Sequence, residues 1–193
     1  MEILIKELLE ALHVEKEITV EDIPNVDLYV DQVVQLFENN YSATTRNEKE
    51  KVLTKTMINN YAKGKLFFPI KNKKYSKEHI MLISLIYQLK GALSISDIKT
   101  VLTPLNEKIE AEEAFDLEVF YEEYLSLTKE NVESFKREVD KNVDNVQLIA
   151  DTVKDEQLEK ILLITSFITL SNLYRRLAEK LVDHLDDSES TSR

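Results

Sequence analysis

Apolar positions recur with the spacing of α-helices along nearly the whole chain. Ile3, Ile5, Leu8, Leu9 and Leu12 stand against Lys6, Glu7 and Glu10, which predicts an amphipathic helix over residues 1–14. Thr19-Val-Glu-Asp22 resembles a helix-capping signal, but Pro24 follows so soon that only about one helical turn fits. Residues 27–39 predict a second helix with Leu28, Val30 or Val34, Leu36 and Phe37 on its buried side. The polar run 40–47 reads as a loop.

A short helix is expected over 55–63. Thr54 is suited to cap its start, and Gly64 stands where a left-handed residue closes a helix. Met57, Ile58, Tyr61 and Ala62 share one face of it, and Lys55, Thr56, Asn59, Asn60 and Lys63 the other. Leu66-Phe-Phe-Pro-Ile70 predicts an edge strand, because Pro69 cannot donate to a central ladder. Lys71-Asn-Lys-Lys74 is its basic tip and Tyr75 returns the chain. Ser76 opens a helix that reaches Lys90, with Ile80, Ile83, Leu85, Ile86 and Leu89 largely inside, and Gly91 closes it. Ser94 or Ser96 opens a further short helix over 97–102, stopped by Pro104.

Beyond Pro104 there is neither Gly nor Pro, which favours long helices. One spans about 117–149 with a weak point at Thr128, and carries Val132, Phe135, Val139, Val143 and Val146 as a stripe. The other spans about 156–185. In it Leu163, Phe167, Leu170, Tyr174, Leu177 and Leu181 step by 4, 3, 4, 3 and 4, a heptad seam. Ile161, Ile164 and Ile168 add a second apolar face, so the first half must be buried on two sides. The polar tail 186–193 reads as disordered. The expected organisation is 1–104, 105–185 and that tail.

Composition narrows the chemistry. Two Gly in 193 residues lie far below the average usage of about 7%, and a sheet-rich fold needs many turns that accept positive φ. The fold class is therefore mainly α. Gly64 and Gly91 alone cannot make a phosphate-cradling loop. The absence of Cys removes disulfides, thiolate metal sites and cysteine nucleophiles. His13, His79 and His184 are far apart and read as solvent-facing; Glu10 and His13 make one Glu-x-x-His pair where a di-iron bundle needs two. Helical carboxylates such as Glu112, Glu113, Glu122 and Glu123 read as solvated faces without a nucleophile beside them. No enzymatic role and no cofactor are expected. The start lacks a basic n-region, and the apolar stretch 161–170 is too short for the ~20 residues of a membrane span. A cytoplasmic location is expected.

The net charge of −11 conceals a reversal of sign. Residues 1–43 carry 2 cations and 10 carboxylates, residues 44–103 carry 12 and 4, and residues 104–193 carry 11 and 22. A basic island thus sits between acidic flanks, densest at Lys63, Lys65, Lys71, Lys73, Lys74 and Lys77. A solvated lysine face is the plain reading, and a phosphate-binding surface the sharper one.

Within the island the residues themselves resemble a family. Met57-Ile-Asn-Asn-Tyr-Ala-Lys63 through Leu66, then Pro69, then Lys74-Tyr-Ser-Lys-Glu-His-Ile80, is similar to the DNA-binding domain of mercury-resistance-type (MerR) regulators. Leu93-Ser-Ile-Ser-Asp-Ile-Lys-Thr-Val-Leu102 is similar to that domain's next helix. Ile23-Pro-Asn-Val-Asp-Leu-Tyr-Val-Asp31 with Thr54-Lys-Thr-Met-Ile-Asn-Asn-Tyr61 also resembles a largely uncharacterised family of Gram-positive bacterial proteins, itself described as MerR-like. The resemblance covers roughly 23–104. It implies a winged helix-turn-helix with one small β-hairpin wing, followed here by a C-terminal pair of long helices. Asn59 stands where the MerR pattern has Arg, the loop before the short helix is long, and no C-terminal cysteines exist for soft-metal sensing.

On this reading the chain is a sequence-specific, double-stranded DNA-binding regulator of transcription. Lys55, Lys63, Lys65, Lys71, Lys73, Lys74 and Lys77 are the expected phosphate contacts. Tyr61 matches the family tyrosine that approaches the backbone, and a core role suits it equally. Thr56, Asn59 and Asn60 are the expected base readers, with a plain polar face as their alternative. The seam Leu163, Phe167, Leu170, Tyr174, Leu177 and Leu181 is the expected homodimer contact, and a monomeric bundle closed by Leu8 and Leu12 is its alternative. A small-molecule or protein effector on the C-terminal helices is open. The contrasting function is a helical adaptor whose basic wing binds an acidic protein.

Overall fold

The computed structural model describes residues 2–47, 49–111, 114–153 and 155–191. The chain is mainly helical with one small antiparallel sheet. Its elements are α1 (Glu2–Leu12), β1 (Leu28–Tyr29), α2 (Val30–Tyr41), a 3-10 turn (Ser42–Thr44), α3 (Lys55–Lys63), β2 (Lys74–Tyr75), α4 (Lys77–Leu89), α5 (Ile95–Glu110), α6 (Leu117–Val153) and α7 (Glu156–Thr191).

The first core forms around α4. All eight residues from His79 to Ile86 are buried, so this helix has no solvent face over two turns. Val33, Phe37 and Tyr41 of α2, Ile58 and Tyr61 of α3, Ile98 and Leu102 of α5, and Leu117 and Tyr121 of α6 belong to the same apolar cluster. Ile18, Val20 and Ile23 join it from the segment after α1. That segment is tied down by polar bonds. Ile18 N–H donates to the Tyr41 hydroxyl (3.3 Å), which donates to the Glu17 carboxylate (2.9 Å), and the Tyr121 hydroxyl donates to the Ile18 carbonyl (2.7 Å). Burial pushes both phenols well above their ordinary range, so both stay protonated donors at neutral pH.

A second, smaller core lies between α1, α6 and α7. Ile5 packs with Val139, Val143 and Val146 of α6 and Leu163 of α7, with Leu9 and Phe167 at its edge. Across the same contact the Ser166 hydroxyl donates to Asn142 Oδ1 (2.6 Å), and Asn142 Nδ2 donates to the Glu138 carbonyl (2.8 Å). A misregistered pairing of α6 and α7 would strand this buried amide, so the pair fixes the register. α7 also packs against α5, and Val182 in its second half is buried.

Several local expectations are corrected. Leu28 and Tyr29 form a strand paired with Tyr75 and Lys74, so α2 starts only at Val30, where the Gln32 side chain accepts from Tyr29 N–H (2.8 Å). No strand forms over 66–70, because Leu66 and Phe67 are both buried, which breaks the alternation a half-buried strand requires. Pro104 lies inside α5 instead of ending it. The missing N–H costs one hydrogen bond, while Leu102, Leu105 and Ile109 bury the helix on both sides of it. The residue-104 boundary therefore falls within a helix. α6 runs unbroken through Thr128, whose hydroxyl bonds back to the Tyr124 carbonyl (3.0 Å). α7 continues to Thr191, past the point at which the apolar pattern fades; residues 192–193 lie outside the described residues. His79 is buried rather than solvent-facing.

The end of α3 is displaced by one residue from the expected pattern. Gly64 is right-handed (φ −72°), and Lys65 takes the left-handed position (φ 54°). Leu66 N–H bonds to the Tyr61 carbonyl and Lys65 N–H to the Ala62 carbonyl, both at 3.1 Å, a Schellman closure with Leu66 packed on the helix. Gly64 is needed for space, since a Cβ there would stand 2.8 Å from Leu66 Cδ1 and 3.2 Å from the Asn60 carbonyl oxygen. Leu66 is fully buried, so clearing a Cβ there requires its end to repack within the core. Gly64→Ala should therefore destabilise the fold by about 1–3 kcal/mol. Lys65→Gly should stabilise it by up to about 1 kcal/mol through relief of the left-handed cost. Urea midpoints of the two variants check the opposite signs.

Candidate nucleic-acid interface

The candidate surface starts from α3. Thr54 Oγ1 accepts from Met57 N–H (3.2 Å), and Ile58 and Tyr61 anchor the helix in the core. Lys55, Thr56, Asn59, Asn60 and Lys63 are consequently exposed along the opposite face. No carboxylate stands in the first turn, so the positive end of the helix dipole is not neutralised from within α3.

The basic tip is a two-residue turn. Lys74 N–H bonds to the Lys71 carbonyl (2.9 Å), and the central residues Asn72 and Lys73 have φ 53° and 59°. Positive φ at both central positions matches the twist of paired strands. Lys71 and Lys73 project into solvent, while half-buried Lys74 holds its Nζ 5.2 Å from the centre of the Tyr29 ring. The root of the tip rests on His79. Its Nδ1 accepts from Ser76 N–H (3.1 Å), its Nε2–H donates to the Phe68 carbonyl (3.1 Å), and its ring lies 3.9 Å from that of Phe68. These roles require the neutral imidazole. Burial pulls its pKa below the ordinary value, outweighing the Phe68 carbonyl and the charges of Glu78 and Asp27.

Two contacts bring α3 and the tip to one side. Asp31, in the first turn of α2, pairs with Lys55 at the start of α3, and Tyr29, two residues earlier, carries Lys74. The N-terminus of α3 and the basic tip thus flank the same short stretch, residues 29–31. Lys63 and Lys65 are exposed at the other end of α3. Two expected phosphate contacts are placed otherwise. Tyr61 is buried, and Lys77 is paired with Glu118 of α6 at 2.7 Å with its side chain 22% exposed. Of the expected seam on α7, Leu163 is buried and Phe167 and Leu170 are partly covered within the chain, whereas Tyr174, Leu177 and Leu181 are exposed.

Sequence reasoning missed Tyr29, Asp31 and His79. A two-residue strand carries too little alternation to be seen, and a polar residue on an apolar helix gives no sign of its partner. Lys90 is a further case. It belongs to the basic island, yet it donates to the Val52 carbonyl (3.0 Å), lies 4.4 Å from the Tyr87 ring, and has its pKa lowered by burial. It holds the backbone at Val52 and does not reach outward. Glu112 and Glu113 lie outside the described residues. Among the described residues no group of three or more His, Asp or Glu is placed to hold a metal ion.

The pattern of a protein family described as Domain of unknown function (DUF1836) matches residues 18–124. No curated protein and no solved structure matches the chain. The matched span begins at Ile18 and takes in Tyr121, the first and last buried residues of the first core, and it contains the whole candidate surface.

The neutral His79 sets a pH dependence. A pKa lowered on folding means the folded form resists the proton, so its contribution is complete above the ordinary value of 6.5 and is lost as pH falls below it. The unfolding midpoint should be flat above about pH 6.5 and should fall between about 6.5 and 5, before carboxylates protonate. In His79→Gln the step in that window should vanish. Thermal melts across pH check this.

Proposed function

We propose that this chain, which belongs to the DUF1836 family, is a sequence-specific double-stranded DNA-binding regulator of transcription that acts as a homodimer. The observation that carries the reading is the placement of the polar face of α3 beside the basic tip, on either side of residues 29–31. On this reading the order α2, α3, tip, α4 is a winged helix-turn-helix, with α3 in the major groove and the tip as its wing. The resemblance of residues 57–80 and 93–102 to MerR-type regulators supports the same assignment.

Each residue then has a role. Lys63, Lys65, Lys71 and Lys73 neutralise phosphates without reading sequence, and Lys74 and Lys55 join them from the Tyr29 and Asp31 side. Asn59 and Asn60 present donor–acceptor pairs to adenine N6 and N7, and Thr56 meets a thymine methyl or base edge. Lys77 and Tyr61 are left out of the contact set by their placement. The acidic flanks are repelled by the duplex and leave one docking face. Work on DNA would place the chain in the cytoplasm, and among the described residues no helix is long and apolar enough to cross a membrane.

Changing Lys71, Lys73 and Lys74 together to Ala should weaken binding to all duplexes alike. The slope of log K against log salt should fall by about 0.9 for each lost contact. An unchanged slope in a folded variant would remove the tip from the interface. Binding to an acidic peptide but to no duplex would favour the adaptor reading. Asn59→Ala and Asn60→Ala should each cost on the order of 1–3 kcal/mol on a selected site and far less on random duplex. Titrations against both DNAs decide whether α3 reads or only positions.

A further inference from the structure

Between the two cores α6 borders a cavity. The first core reaches Tyr124 and Leu125, and the second begins at Val139. In the turns between them Leu125, Thr128, Val132 and Lys136 step by 3, 4 and 4, so they share one face of the helix. The segment after α1 lines the same space with Val14, Glu15, Glu17 and Thr19, and the volume enclosed is about 530 Å³. That lies within the roughly 300–1,000 Å³ of small-molecule sites. Val14 and Val132 are half-buried, belong to neither core and line this cavity instead.

The polar groups of the wall set what can enter. The Thr128 hydroxyl donates its proton to the Tyr124 carbonyl (3.0 Å) and the Thr19 hydroxyl to the Asp22 carboxylate (3.0 Å), so both keep only lone pairs to offer. Lys136 is paired with Glu133 (3.0 Å). Glu17 is the decisive group. It is half-buried, both of its partners are neutral, the Tyr41 hydroxyl and the Gln88 amide, and among the described residues no cation pairs with it. Lys129, the other cation of the wall, is exposed and leaves it unpaired. Burial, and after it the Glu17 charge, push the Tyr124 phenol up to about 12, so that charge is felt on α6 one residue from Leu125. A carboxylate withdrawn from water without a counter-charge costs free energy that a cation beside it recovers. We infer that this cavity binds a small organic cation, its ammonium at Glu17 and its apolar body between Val14, Leu125 and Val132.

This site goes beyond the DNA reading and does not depend on it, and its test uses no DNA. Phenethylamine, phenethyl alcohol and phenylpropionate carry one apolar stem with a cationic, a neutral and an anionic end. Titrated into the full chain at neutral pH and followed by amide chemical shifts, phenethylamine should saturate one site per chain. The amides of Val14, Thr19 and Thr128 should move. A charge-assisted hydrogen bond supports binding about tenfold tighter than that of the alcohol, and phenylpropionate should not saturate. Glu17→Gln keeps an acceptor for Tyr41 and should erase most of the preference for the amine. Val132→Phe fills the cavity and should abolish binding of amine and alcohol alike, with thermal melts confirming that both variants are folded. Four results overturn the inference: no saturation by phenethylamine, equal binding of the alcohol or the acid, an undiminished preference in folded Glu17→Gln, or shifts that leave Val14, Thr19 and Thr128 unmoved. Should a variant fail to fold, the comparison of the three compounds on the wild-type chain decides alone.

Discussion

Eight consecutive buried residues on α4 demand cover from every side, and the rest of the first core is arranged to supply it. A helix that is apolar all round gains about 25 cal/mol for each Å² of apolar surface removed from water, and no single neighbour can shield more than one stripe of it. Hence α2, α3, α5, the start of α6 and the loop around Val52 and Leu53 all converge on it. The positions of α3 and of the basic tip follow from this demand. α3 has nine residues, too few to hold a helix in water unaided, and it persists through its Thr54 cap, its Schellman closure and the burial of Ile58 and Tyr61.

The polar bonds at the edge of this core fix what hydrophobic burial leaves free. His79 belongs to α4 yet bonds to Phe68, so the approach to the basic tip is fastened to the central helix. Glu17 receives the Tyr41 hydroxyl and Gln88 Nε2, and burial raises its pKa despite both donors. The segment after α1 is thereby held against α2 and α4 by directional contacts that an apolar surface alone would not specify. The DUF1836 match closes at Tyr124, in the stretch of α6 that still packs against this core. The second core, with its Asn142–Ser166 register bond, is built by residues outside the match.

Much of the fold was legible in the sequence because it depends on local chemistry. Two glycines and a helical period along the chain determined a mainly α protein, Thr54 and Ser76 marked the starts of α3 and α4, and the Gly- and Pro-free C-terminal part determined two long helices. The face of α3 that carries Lys55, Thr56, Asn59, Asn60 and Lys63 was legible for the same reason, since Ile58 and Tyr61 fix its rotation. The heptad seam was legible as a need for cover, but not which part of it the chain covers itself.

Tertiary structure alone decided the rest. Whether Leu28 and Tyr29 are helix or strand depends on Lys74 and Tyr75, more than forty positions away. Pro104 ends a helix in isolation and is carried through one here, because burial on both sides exceeds the cost of one lost hydrogen bond. Lys77 and Lys90 look like surface chemistry in the sequence and are committed inside the molecule by Glu118 and Val52. Propensity, capping and periodicity act over a few residues and are written in the sequence. Pairing, burial and charge neutralisation act between distant residues, and only the folded chain brings those together.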